Sequence, residues 1–173
     1  LLELLRYSEY VKYHKILLSI PNFIETMRKQ LSSADTSIQL ICCKCLNNLA
    51  HDDSCLRLLS KQGISKTLIM LIGKFTEIEI GYRTGYNPAN KALRESTKTA
   101  REILKLLTSY CRIPENKKMI VKGKGLEYIV KALKYDILKV QRTALRCILT
   151  IIQNEPVESD IQFQLVKRGI INP

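Results

Sequence analysis

The sequence predicts an all-α fold built from repeated helical units, and three observations carry that expectation. Apolar residues recur at helical spacing along most of the 173-residue chain, as Ile38, Cys42, Cys45, Leu46 and Leu49 do on one face of a single helix. A glycine followed by an apolar residue, Gly63-Ile64, returns as Gly125-Leu126 and as Gly169-Ile170, the mark of a helix stop with a new helix starting directly after it. Apart from Phe75 to Ile80, no run alternates apolar and polar residues as a half-buried strand would.

Taken in order, Leu1 to Arg6 reads as the last turns of one helix. Ser8 to Ile20, carrying Tyr10, Val11, Tyr13, Ile16, Leu17 and Ile20, reads as a second that stops near Pro21-Asn22. Phe23, Ile24, Met27 and Leu31 mark a third, and the polar Ser32-Ser33-Ala34-Asp35 leads into a long helix from Ser37. His51-Asp52-Asp53-Ser54 interrupts that helix, with Asp53 or Ser54 expected to accept from the free N–H groups of the next. Gly63 supplies a left-handed stop, and Ile64 opens another apolar helix.

The pattern then repeats. Leu107 to Cys111 occupies the place of Leu46 to Ala50, and Val140, Ala144, Leu145, Ile148 and Ile151 reproduce the long helix again. From Gly125 to Thr150 the spacing suits a helical unit of roughly 40–47 residues, whereas Gly63 to Ser109 runs about 20 residues longer. The excess is assigned to a loop insertion over residues 74–93, where two glycines, Asn87-Pro88 and the tyrosines Tyr82 and Tyr86 gather. The units are then 1–21 (partial), 22–63, 64–125 with the insertion, and 126–173 (partial), all within one domain. Each unit buries its apolar face only against its neighbours, so both ends read as cut surfaces of a longer array. Leu1 in the place of a Met agrees with that.

Composition excludes several classes of function. The chain is 46% apolar and 25% charged, with no apolar run long enough for a membrane span and no signal peptide. Its six cysteines lie on apolar helix faces, which points to free thiols and a reducing compartment, cytoplasm or nucleus. Cys42-Cys43-x-Cys45 has the residue type of a metal site, but thiols at that spacing point apart on one helix. No metal and no cofactor are therefore expected. His14 and His51 stand without a nucleophile–base set, and Gly123-Lys124-Gly125 lacks the downstream Lys-Ser/Thr of a phosphate loop. Glu77 and Glu79, the paired carboxylates, fall in the insertion, so an enzyme is not expected. Asn116, Lys117, Lys118, Lys122 and Lys124 read as a solvated face. A formal net charge of +12 calls for an acidic partner surface.

The residues Ile38-Gln39, Leu46, Asn48-Leu49-Ala50, Gly63-Ile64 and Leu68 resemble the armadillo-repeat line L-Q-x-x-A-L-x-x-L-x-N-L-A, polar turn, helix ending in Gly, I-x-x-L-V-x-L-L. Cys42 stands where that line has a small alanine, and Lys44 where it often has tryptophan. The resemblance implies a right-handed α-solenoid of about three to four armadillo-like repeats, truncated at one or both ends. It also implies that the third helices line a concave groove, where an asparagine ladder clamps an extended peptide. Carried over, that ladder is Asn48, Ser109 and Thr150, with Lys44, Lys105 and Arg146 one turn earlier. Leu40, Arg101 and Arg142 lie two turns earlier. Residues four apart share a helix stripe, so these positions form three stripes holding five cations. The basic register is similar to catenin-type armadillo grooves, which receive extended acidic segments. The expected role is a non-enzymatic scaffold that binds an acidic or phosphorylated segment of another protein. Nucleic-acid binding is the alternative, although no aromatic stacking platform accompanies the cations in the sequence. Self-association through residues 74–93 or the cut ends is a third expectation.

Overall fold

The computed structural model describes residues 1–82, 91–135, 137–153 and 160–167. Among them the chain is all-helical, without strands: α1 (Leu2–Ser8), a 3-10 turn (Val11–Tyr13), α2 (His14–Ser19), α3 (Phe23–Leu31), α4 (Thr36–Leu49), α5 (Asp53–Lys61), α6 (Ile64–Tyr82), α7 (Lys91–Tyr110), α8 (Pro114–Lys122), α9 (Gly125–Leu133), α10 (Leu138–Ile152) and α11 (Asp160–Lys167). No helix among the described residues is long and apolar enough to cross a membrane.

The helices fall into rows. α1 packs on α4, α4 on α7 and α7 on α10, so the first of these rows is built from every third helix. A second row, α3 on α6 and α6 on α9, lies behind it, each member packed on the first-row helix that follows it in sequence. The short helices α2, α5, α8 and α11 join one unit to the next, α2 packing on α5 and α8 on α11. The arrangement is helical and repeat-like. One continuous apolar core runs through it, with Cys42, Cys45, Leu46, Leu49, Leu68, Ile72, Leu104 and Leu107 all buried. Burying a side chain of leucine size contributes roughly 1.5–3 kcal/mol, which is why the apolar stripes dictate the stacking.

Local signals set the helix ends. Asp35 accepts from the backbone N–H of Ser37 at 2.7 Å and starts α4. Gly63 adopts φ +72° between α5 and α6, a conformation that costs a side-chain-bearing residue energy. The cap of α5 is Asp52, which accepts from the N–H of Cys55 at 3.0 Å; Asp53 and Ser54 lie inside the first turn. The segment read as one helix from Ser8 to Ile20 is instead broken: α1 continues to Ser8, a 3-10 turn follows, and α2 begins at His14.

The loop insertion over 74–93 is a further correction. α6 continues through its first part to Tyr82, and α7 already begins at Lys91. The physical reason is visible in the core: Leu68, Ile72, Phe75 and Thr76 are buried in an unbroken helical register past Lys74. Most of the extra length thus extends two helices, to 19 and 20 residues, where α4 and α10 have 14 and 15. Residues 83–90, with Tyr86 and Asn87-Pro88, lie outside the described residues, as do Gly169-Ile170 and the side chains of Glu77, Glu79 and Tyr82.

Candidate functional site

α4 and α7 run in the same direction. The hydroxyl of Thr99, midway along α7, lies 3.4 Å from the carbonyl of Thr36 at the start of α4, and Arg112 Nη2, just past the end of α7, donates to the carbonyl of Ala50 at the end of α4 at 2.8 Å. This parallel register puts equivalent positions of α4 and α7 side by side. The buried side of each helix is mostly apolar and the open side carries a stripe with the cations, joined on α10 by the exposed Leu138, Leu145 and Leu149.

On α4 that stripe is centred on Lys44, which is exposed, with Leu40 and Asn48 half-buried beside it. On α7 it carries Arg101, Lys105 and Ser109, all half-buried, and on α10 Arg142 and Arg146, both exposed, with Thr150 half-buried. The helices that bear these residues therefore adjoin one another, and no residue of the set is in the core. Two further cations belong to the same face. Arg94 and Lys98 are exposed on the N-terminal turns of α7. Their 4-3-4 spacing with Arg101 and Lys105 was present in the sequence, but the reading of residues 74–93 as a loop hid the start of their helix.

Several of the polar groups are engaged within the chain. Asn48 Nδ2 donates to the hydroxyl of Ser8 on α1 at 3.0 Å, so the amide N–H that would clamp a peptide is turned toward its own neighbour. The hydroxyl of Thr150 donates to the carbonyl of Arg146 at 3.0 Å. Lys105 Nζ lies 2.7 Å from Glu102 Oε1, a carboxylate that also accepts from Asn47 of α4. Lys44, Arg94, Lys98, Arg101, Arg142 and Arg146 form no ion pair among the described residues. The face therefore presents six such cations plus one paired lysine. Single exposed charges contribute little, but a row of them attracts anions at a distance and holds them through charge-assisted bonds of about 1.5–3 kcal/mol each.

Two other sequence readings change. Asn116 and Lys117 are not solvated: both are buried, with Lys117 donating to the carbonyl of Gln153 at 3.0 Å and Asn116 accepting from Ser60 at 2.7 Å. Lys117 thereby closes the C-terminal end of α10, where orphan carbonyls favour a cation. An aromatic cluster that the sequence did not reveal lies beside Arg6 and Lys12. Tyr7 and Tyr10 each meet Tyr13 edge to face, with centroids 5.3 and 6.2 Å apart. The 3-10 turn that gathers them was hidden by the reading of one helix through this region.

The six cysteines are buried and free. Burial, reinforced by Cys45 nearby, pushes the Cys42 thiol up to about 12, and burial likewise raises Cys43. A hydrogen bond with Cys147, then burial, raises Cys111. Thiols held this way are poor nucleophiles and act as small core side chains. Among the described residues, no three His, Cys, Asp or Glu side chains gather to hold a metal ion.

Comparison with known proteins bears on the fold. No family model and no curated protein matches the chain. The chain is similar to an engineered protein solved as a crystal structure by the Northeast Structural Genomics Consortium, with a TM-score of 0.75 at 18% identity over 97% of this chain and 61% of that one. A second engineered protein from the same consortium gives a TM-score of 0.70 at 19% identity, over 96% and 59% of the respective chains. The chain thus spans about three fifths of the length of these proteins. At such identities the likeness shows the fold alone.

Proposed function

We propose that this chain is a docking module: an armadillo-like, right-handed α-solenoid whose first-row helices line a concave basic groove for an extended acidic or phosphorylated segment of another protein. The observation that carries the reading is the set Lys44, Arg101, Arg142 and Arg146, recurring on adjoining helices with no ion pair among the described residues. The every-third-helix packing supports the repeat assignment. Guanidinium groups hold a carboxylate or phosphate two-pronged, whereas Lys44 acts as a point charge. About four such contacts along one ligand, less the cost of ordering it, correspond to roughly micromolar affinity. With the Asn48 amide N–H turned toward Ser8, side-chain charge rather than an asparagine ladder would supply most of the hold.

The test is a fluorescence anisotropy titration with a Glu-rich peptide and its phosphoserine counterpart, at low and high salt. Arg101→Glu with Arg146→Glu should weaken binding at least tenfold while leaving the helical circular dichroism intact, and affinity should fall as salt rises. Equal affinity of the wild-type and doubly reversed proteins would refute the reading. The net charge of +12 and the tyrosine cluster also suit single-stranded nucleic acid. Oligothymidine that binds with a steep salt slope and is not displaced by the peptide would favour that alternative.

A further inference from the structure

From the aromatic end of this face we infer that the groove terminates in a pocket for a planar aromatic ring that carries, or is flanked by, an anionic group; the inference rests on the acidic-segment reading above. A cavity of about 370 Å³ opens among Arg6, Tyr7, Tyr10, Lys12 and Tyr13. Tyr13 lines it, with Tyr7 and Tyr10 set against it at interplanar angles of 82° and 84°. That edge-to-face geometry leaves ring faces open for a third ring, since aromatic groups prefer offset or T-shaped neighbours at such distances. Tyr7 is 45% and Tyr10 53% exposed, so apolar area is already presented to a ligand.

Charge selects the ligand. Lys12 Nζ lies 4.9 Å over the Tyr13 ring, and Arg6 lines the same cavity. A cationic guest would face both of these groups and find one ring already taken by a cation, which disfavours the methylammonium ligands that tyrosine cages otherwise accept. An anion beside the guest ring meets Arg6 and Lys12 instead. Two sources share this chemistry: phosphotyrosine, or an aromatic residue next to Asp or Glu. The pocket lies at the α1 end of the first row, where Ser8, next to Tyr7 in the chain, is bonded to Asn48 at the C-terminal end of the α4 stripe. One extended segment can therefore lay acidic residues along the first row and its ring in the pocket.

The experiment uses the full chain and fluorescent Glu-rich peptides that differ at one terminal residue: leucine, tyrosine or phosphotyrosine. The two aromatic peptides should bind wild type about five- to tenfold tighter than the leucine peptide. Tyr7→Ala with Tyr10→Ala should abolish that advantage while leaving the leucine peptide unchanged, and Arg6→Ala with Lys12→Ala should remove any extra gain of phosphotyrosine over tyrosine. Equal binding of all three peptides to wild type overturns the pocket, and needs no variant to fold. Loss of the leucine peptide's binding in the Arg101/Arg146 reversal is read separately and bears only on the groove. Oligothymidine that competes with the aromatic peptides and loses affinity in the tyrosine variant would assign the pocket to a nucleobase and overturn the peptide assignment.

Discussion

Asn47 on α4 fastens Glu102 on α7: its amide Nδ2 lies 2.9 Å from the Glu102 carbonyl and 3.0 Å from Oε2. The other carboxylate oxygen meets Lys105 Nζ at 2.7 Å, and the Glu102 side chain is only 12% exposed. Glu102 is thus an anion of the chain's own, held on the basic face by the neighbouring helix. A ligand carboxylate that uses Lys105 must compete with it. Glu102→Gln keeps an acceptor for Asn47 and frees the ammonium, so acidic peptides should bind roughly two- to fivefold tighter, the worth of one partly exposed ion pair. Isothermal titration checks this; unchanged affinity would remove Lys105 from the contact.

How far the sequence reveals this arrangement depends on the range of the interaction involved. The start of α4 after the polar Ser32–Asp35 connection, the Gly63 stop and the burial of Cys42, Cys45, Leu46 and Leu49 follow from residues within one or two turns, and each was legible. The run of α6 beyond Lys74 was misread because glycines and Asn87-Pro88 outweighed the apolar register through Ile72 and Phe75. Lys117 could not be recognised as buried, since its partner carbonyl at Gln153 is 36 residues away and is brought near only by the packed fold. Lys44, Arg101 and Arg146 were placed on one face by the armadillo resemblance together with helical spacing, but the Asn47 contact that holds Glu102 beside Lys105 and the Ser8 contact of Asn48 both depend on helix-to-helix packing.

Gly73 is required by a ring rather than by a turn. A Cβ at this position would lie 2.7 Å from Cε2 and Cζ of Tyr128, which packs across α6 from α9. Alanine normally gains about 1 kcal/mol over glycine within a helix. Here the overlap, costing about 1–3 kcal/mol, outweighs that gain. Gly73→Ala should therefore destabilise by about 1 kcal/mol net. In a Tyr128→Ala background the same change should stabilise by up to about 1 kcal/mol. Urea unfolding of the four proteins closes the cycle, and additive effects would rule out the contact as the cause.

Arg112 links one unit to the next. Its guanidinium donates to the Ala50 carbonyl at 2.8 Å, at the C-terminal end of α4, and lies 2.9 Å from Asp53 in the first turn of α5. The Asp53 pair is largely exposed and should contribute little, whereas the bond to the helix-end carbonyl also meets the dipole of α4. Arg112→Ala is expected to destabilise by about 1–2 kcal/mol and Asp53→Ala by less than about 0.5 kcal/mol. Equal effects in chemical denaturation would place the contribution in the ion pair instead.

The cap of α5 makes a prediction about acid. The hydroxyl of Ser54 and the N–H of Cys55 donate to the Asp52 carboxylate and lower its pKa to about 2. In the unfolded chain this group returns to the ordinary carboxylate range near 4, so between these values the unfolded state binds the extra proton. The stability Asp52 contributes as an anion is then fully present above about pH 5 and is lost as pH falls toward 2. Asp52→Asn retains an accepting oxygen but no charge, and every other carboxylate titrates alike in both proteins. Wild type should exceed Asp52→Asn in urea midpoint at pH 6, with the gap closing between pH 4 and about 2. A gap that stays constant down to pH 2 would mean that the cap acts through geometry alone and that its charge adds nothing to the fold.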